Sequence, residues 1–264
     1  MRSLPVPGSG AVIRYHDLPG DVPAVVLLHG LGAAGSSDLV GAACHPPLDR
    51  RRRLVVDLLG FGFSDRPQDW AYRLEDHADA VAAVMDAAGV AGCEVVGHSM
   101  GGTIAIILAS RRPDLVSALV VAEGNLDPGV GTGSVRIASW AEGGYLARGH
   151  AGMRAEIEEA ARSGDPGWSA YAGAFRLADA LAVHRSAVGL LAPIEPTARE
   201  RLYRFPGPQA FVFGEESLPD PDQQRLAAAG VTVLVVPGAG HAMAVEAPGE
   251  FARIVGGFLD ACRP

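Results

Sequence analysis

Gly97-His98-Ser99-Met100-Gly101 is the stretch of this chain best suited to covalent chemistry. A serine hydroxyl is a poor nucleophile until a neighbouring base takes its proton, so a reactive serine requires such a base within reach. The G-x-S-x-G spacing also has a backbone meaning. Small residues two before and two after the serine let a strand turn sharply into a helix. The helix start then favours negative charge beside the hydroxyl. Of the eight histidines, only His241 follows a late strand in a Gly-rich loop, Pro237-Gly238-Ala239-Gly240, and it is the expected base. A neutral imidazole can accept the hydroxyl proton and return it to a leaving group. His98 is expected to pack beside the serine. His16, His45, His77, His150 and His184 read as surface or packing residues.

The elements that must position these groups alternate. Strands are expected at Val12–His16, Ala24–Leu28, Leu54–Asp57, Glu94–Val96 and Ala118–Ala122. Leu74–Ala88 carries apolar residues at helical spacing and stops at Gly89, and Thr103–Arg111 is a helix ended by Pro113. Strands apolar on both faces, alternating with helices, imply an α/β fold with a mostly parallel sheet covered on both sides. The rhythm stops after Gly124. Residues 125–205 contain helical stretches, Glu156–Ala161 and Tyr171–Leu181, separated by a break at Gly164-Asp165-Pro166-Gly167. The rhythm resumes with strand Ala210–Phe213, helix Asp222–Ala229, strand Val231–Val236 and helix Glu250–Ala261. The expected organisation is a core of residues 1–124 and 206–264 interrupted by a helical cap at 125–205.

Composition excludes several chemistries. The 264 residues include no Lys; all 22 basic side chains are Arg. A lysine Schiff base and a Walker A phosphate loop are therefore ruled out. The net charge of −8 argues against a nucleic-acid surface. The run Arg50–Arg53 reads as a solvated loop. Cys44, Cys93 and Cys262 have no metal-ligand or CxxC spacing, which fits reduced thiols in the cytoplasm. The first ten residues have no apolar signal-like segment, and Ile104–Ala109 is too short to span a bilayer. A cytoplasmic protein acting on a small molecule, without nucleic acid or membrane partner, is expected. Its oligomeric state stays open.

Four motifs in one order resemble the α/β-hydrolase fold family over nearly the whole chain. His29-Gly30-Leu31-Gly32 is similar to its oxyanion loop, and Asp57-Leu58-Leu59-Gly60-Phe61-Gly62-Phe63-Ser64 to its D-x-x-G-x-G-x-S turn. Gly97–Gly101 resembles its nucleophile elbow, and Gly240-His241 its histidine loop. The resemblance implies Ser99 as nucleophile, His241 as base, and the backbone N–H groups of Leu31 and Met100 as oxyanion donors. Gly30 and Gly32 would keep the loop open to the substrate carbonyl, with His29 shaping it. Asp57, Glu246 and Pro248 read as structural.

The acid departs from the common pattern, because Ser217 stands where the family usually has Asp. Some members, including certain lactone hydrolases, carry it after the sixth strand, where Glu123 lies here. Glu215 and Glu216 are the alternatives. Trp140 and Tyr171, with Tyr145, Trp168 and Phe175, either line an apolar substrate pocket or form the cap's own core. The implied reaction is hydrolysis of a carboxylic ester or lactone, with no metal or organic cofactor. C–C bond or thioester hydrolysis, perhydrolase activity and a weakly active ligand-binding relative remain alternatives. Haloalkane dehalogenases and epoxide hydrolases of this family use Asp at the elbow, so Ser99 argues against both. Hydroxynitrile lyases often use a Lys that this chain lacks.

Overall fold

A computed structural model describes residues 1–129 and 131–263. Val130, within the expected cap, and Pro264, at the end of the expected core, lie outside the described residues. The strands are β1 (Arg2–Pro5), β2 (Val12–Leu18), β3 (Asp21–Leu28), β4 (Arg51–Asp57), β5 (Cys93–His98), β6 (Val116–Ala122), β7 (Gln209–Gly214) and β8 (Thr232–Val236). They form one sheet in the order β1-β2-β4-β3-β5-β6-β7-β8. Pairing is antiparallel for β1 with β2 and β2 with β4, and parallel from β4 through β8.

Helices α1 (Val40–Ala43), α2 (Leu74–Ala87) and α3 (Met100–Arg111) belong to the first half of the chain. Between β6 and β7 lie α4 (Thr132–Ala138), α5 (Glu142–Gly144), α6 (His150–Ala161), α7 (Pro166–Phe175), α8 (Ala180–Leu191) and α9 (Ala198–Arg204). Helices α10 (Asp222–Ala228), α11 (Met243–Glu246) and α12 (Pro248–Ala261) complete the chain. Among the described residues no helix is long and apolar enough to cross a membrane.

The period-2 alternation of strand side chains divides the interior into two cores. Val26, Leu28, Val56 and Val95 face one side with Ile104 of α3 and Val81 of α2. Val25, Leu27, Val55 and Val96 face the other with Phe251 and Val255 of α12. Because both faces are covered, β3 is fully buried from Val25 to Leu28.

Three expectations are corrected. The Arg50–Arg53 run is not a solvated loop. Arg51 and Arg53 are buried in β4, where Arg51 pairs with Glu94 at 2.7 Å and Asp260 at 2.8 Å. Arg53 donates to the carbonyls of Ala43 and Pro19. The break expected at Gly164–Gly167 does separate two helices, α6 and α7, but ends sooner: Asp165 caps α7 by accepting from the Trp168 amide, and Pro166 is its first residue. The helix expected over Tyr171–Leu181 is two helices, because Asp179 caps α8 by accepting from Ala182. In addition, β1 was not foreseen; its short, mostly exposed residues carry little apolar signal.

Candidate active site

Ser99 stands between the last residue of β5 and the first of α3, with φ +53° and ψ −122°. This left-handed conformation costs a non-glycine residue about 1–3 kcal/mol and persists only where the surroundings hold it. Here the Ser99 amide donates to Ala122 O at 2.8 Å, and the Gly102 amide donates to Ser99 O at 2.8 Å. The flanking glycines are steric requirements. A Cβ on Gly97 would overlap the Gly101 carbonyl, and one on Gly101 would overlap the Leu28 carbonyl. Backbone cannot yield there as a side-chain end could. Gly101→Ala is therefore expected to lower unfolding stability by about 2–3 kcal/mol, the scale of overpacking a tight core. Urea denaturation measures this, and a midpoint equal to that of the native chain would refute it.

Glu123 lies one residue beyond β6, also left-handed at φ +44°. Its amide donates to Val212 O at 3.0 Å, extending the sheet while the side chain swings over the strand ends. The carboxylate then bridges two later segments. Oε2 meets His241 Nδ1 at 2.6 Å, and Oε1 accepts from the Gly214 amide at 2.9 Å. Burial pushes the Glu123 pKa up, but the bonds from His241, the Gly214 amide and the Ser217 hydroxyl outweigh it, and the net shift is downward. Ser217, in the position usual for the acid, thus becomes a neutral partner of the acid-bearing residue. Glu215 and Glu216 do not take its place. Glu215 accepts from the Gly238 amide at 2.8 Å, and both are exposed.

An ionised Glu123 makes Nδ1 of His241 the protonated nitrogen, which leaves the Nε2 lone pair free. The imidazole is 56% exposed, whereas Glu123 is 12% exposed, so the ring is open and its carboxylate partner is sheltered. His98 joins elbow and histidine loop: its Nε2 donates to His241 O at 2.8 Å, with ring centroids 4.8 Å apart. Burial, then the neighbouring His241, pushes His98 down to about 3, so it is neutral at ordinary pH. The Ser99 hydroxyl has no hydrogen bond among the described residues; such bonds commonly tighten only around substrate.

The loop after β3 folds over this group. The Ala33 amide donates to Gly30 O at 3.3 Å, and Gly32 has φ +73°, which marks a type II turn with Leu31 and Gly32 at its centre. His29 secures its base: Nδ1 contacts Gly30 O at 2.8 Å, while Nε2 accepts from the Leu58 amide at 3.0 Å. A Cβ on Gly30 would sit 3.2 Å from Ser99 Cβ and 3.3 Å from His98 Nδ1, so Gly30 faces the elbow. Met100, fully buried, begins α3 directly after Ser99. Asp57 organises the neighbouring turn by accepting from the Ser36 and Phe63 amides, both at 2.9 Å.

Tyr171 of α7 donates its hydroxyl to Leu31 O at 3.2 Å. Trp140 is not part of this group. It packs against Gly149 and lines a cavity with Arg136, Tyr145 and Met153. Glu246 makes a contact that the sequence does not reveal: Oε2 accepts from the Gly240 amide at 2.6 Å, bracing the residue before His241. The i,i+6 spacing across the Gly-rich loop was its only sequence signal.

The family model described as alpha/beta hydrolase fold matches residues 23–248. Among curated proteins, a 2-hydroxymuconate semialdehyde hydrolase of Pseudomonas putida is 38% identical over 113 residues, covering 43% of this chain and 40% of the relative. The chain thus aligns with about two fifths of that relative's length. Among solved structures, a thermophilic esterase from Thermogutta terrifontis superposes with a TM-score of 0.83 at 19% identity, covering 100% of this chain and 99% of that one. The enol-lactonase from Burkholderia xenovorans LB400 gives 0.79 at 21% identity, covering 98% and 100%. At these identities the two structures speak to the fold alone. With the family model spanning the sheet from β3 to the start of α12, the chain belongs to the alpha/beta hydrolase fold family.

Proposed function

We propose that the chain is a serine hydrolase that cleaves a carboxylic ester or lactone through an acyl-enzyme. The observation that carries this reading is the 2.6 Å contact between Glu123 Oε2 and His241 Nδ1 at the sheet edge where Ser99 is held left-handed. Ligands of open α/β sheets bind at that edge. In the proposed reaction Ser99 Oγ attacks the carbonyl as His241 Nε2 takes its proton. The Leu31 and Met100 amides hold the oxyanion. The C–O bond then breaks, and Nε2 returns the proton to the leaving alkoxide, which in a lactone stays tethered to the acyl group. Water, deprotonated by Nε2, releases the acid and restores Ser99. Glu123 keeps its charge throughout and stabilises the imidazolium. In this reading residues 125–205 form the cap over a core of 1–124 and 206–264, and the three free thiols fit a reducing compartment.

The similarity to the semialdehyde hydrolase favours C–C bond hydrolysis as a second reading. Charge around His241 weighs against a carboxylate-bearing substrate. Glu123, Glu215 and Glu246 all place oxygens on the loops that hold this histidine. None of the three is paired with an arginine among the described residues.

The experiment is covalent labelling with a fluorophosphonate, together with a p-nitrophenyl acetate burst. One label per chain, located on Ser99 and absent from Ser99→Ala, is the expected result. A chain that takes no label refutes the hydrolase reading. A panel of neutral esters, lactones and carboxylated dienones then separates the two reactions.

A further inference from the structure

Helix α7 touches the candidate site at both ends. At its start, Gly167 packs against the histidine loop: a Cβ there would lie 2.8 Å from Glu246 Oε1 and 3.1 Å from Ala242 Cβ. The other oxygen of the same carboxylate holds the Gly240 amide. One turn further on, the Tyr171 hydroxyl donates to Leu31 O at 3.2 Å. A Cβ on Gly32 would sit 2.7 Å from the Phe175 ring and 2.8 Å from the Tyr171 hydroxyl. One helix thus spans from Ala242, the residue after the histidine, and the Glu246 carboxylate to the turn that carries the oxyanion loop.

We infer that Tyr171 is a positioning residue that locks the Leu31–Gly32 peptide and so sets the oxyanion loop. This rests on the hydrolase reading above. The physical reason lies in the turn. Type I and type II turns share the Gly30–Ala33 hydrogen bond but differ by rotation of the central peptide. In the observed form the Leu31 carbonyl points at the cap, where Tyr171 satisfies it. Rotation would release that carbonyl and displace Gly32 from its left-handed conformation. A free carbonyl beside the hole repels a developing oxyanion, whereas amides stabilise it. The phenol suits the task, because burial pushes its pKa up and it stays a donor at all working pH values. Its hydroxyl is engaged with backbone, so its effect is exerted through the loop.

Tyr171→Phe tests this, because it keeps the ring and removes only the hydroxyl that donates to Leu31 O, while Phe175 keeps its ring against Gly32. Two readouts are needed. Hydrogen exchange across residues 30–34 reports the loop whether or not the chain is a hydrolase, and the Gly32 amide, which turns with the Leu31 carbonyl, is expected to exchange at a different rate in the variant, while Ala33 keeps its bond to Gly30 in either turn. With p-nitrophenyl acetate, kcat is expected to fall about 10-fold with KM nearly unchanged, since a displaced donor costs transition-state stabilisation rather than ground-state binding. Affinity for an aryl trifluoromethyl ketone should fall by the same factor. Unchanged exchange overturns the inference whatever the rate. Altered exchange with unaltered kcat overturns the link to the oxyanion hole, and a raised KM at constant kcat makes Tyr171 a substrate contact instead. A native chain that resists fluorophosphonate refutes the hydrolase reading separately, and exchange still decides the loop.

Discussion

Glu123→Gln is expected to lower kcat/KM by ~10³–10⁴-fold while the chain stays folded, as loss of the orienting acid does in serine triads. The amide oxygen can still accept from Gly214, whose N–H lies 2.9 Å from Oε1. The amide nitrogen must then face His241 Nδ1. Two donors cannot share that contact, so Nδ1 becomes an acceptor and the ring proton moves to Nε2. The base then presents a proton to Ser99 where it needs a lone pair. Steady-state kinetics and the rate of fluorophosphonate labelling should fall together, with an unchanged circular dichroism spectrum. Glu215→Gln is the control, because its contact is the Gly238 amide at 2.8 Å and not the imidazole. Activity within ten-fold of the native chain would remove Glu123 from the mechanism.

The same substitution has a stability signature. The folded-state pKa of Glu123 is lowered. Its ionised form therefore stabilises the fold above the unfolded carboxylate value, and this contribution is lost as pH falls through the lowered folded value. The deficit of Glu123→Gln should be present at neutral pH and shrink as pH falls below the unfolded carboxylate value, over the range in which the chain is still folded.

The elbow was legible in the sequence because its constraint is local. The glycines at 97 and 101 relieve clashes created by the turn itself and by the strand beside it. Glu123 was legible because a strand end determines where a side chain emerges. It was preferred to Glu215 and Glu216 on that placement, but its contacts, 118 and 91 positions away, left no trace in the sequence. Arg51 shows the opposite case. Four successive arginines look solvated until Glu94 and Asp260, distant in the chain, close around the guanidinium. Residues 125–205 were the least legible part. Its helices begin at Asp165 and Asp179, both sound caps, yet the neighbouring glycine and proline at the first masked the start. Tyr171 was legible only as a cap aromatic. Its bond to Leu31 spans 140 positions and has no periodic trace.

Acid is expected to unfold this protein well before its carboxylates are all protonated, because two fully buried histidines are held neutral. His77 is 0% exposed, and burial, then nearby His29, pushes its pKa down to about 3. Its Nε2 meets Ser186 Oγ at 3.2 Å, and its Nδ1 has no hydrogen-bond partner among the described residues. A proton added there would bring an unpaired buried charge among Phe61, Trp70 and Tyr72. His29 is also 0% exposed and shifted downward by burial. Protonating its Nε2 would abolish the bond from the Leu58 amide and loosen the turn at Gly30. For both residues the unfolded state binds protons first as pH falls below about 6.5. Stability is therefore complete above that value and declines toward pH 3 for His77, at about 1.4 kcal/mol per pH unit. His29 adds in the same direction. Between pH 6.5 and 4, His77 alone should remove about 3 kcal/mol, a large part of the ~5–15 kcal/mol that a domain has. His77→Phe should flatten the curve by one proton's slope, since the ring joins the surrounding aromatics and Ser186 can bond within α8. Urea unfolding at half-unit pH intervals measures both curves, and parallel curves for the two chains would contradict the expectation.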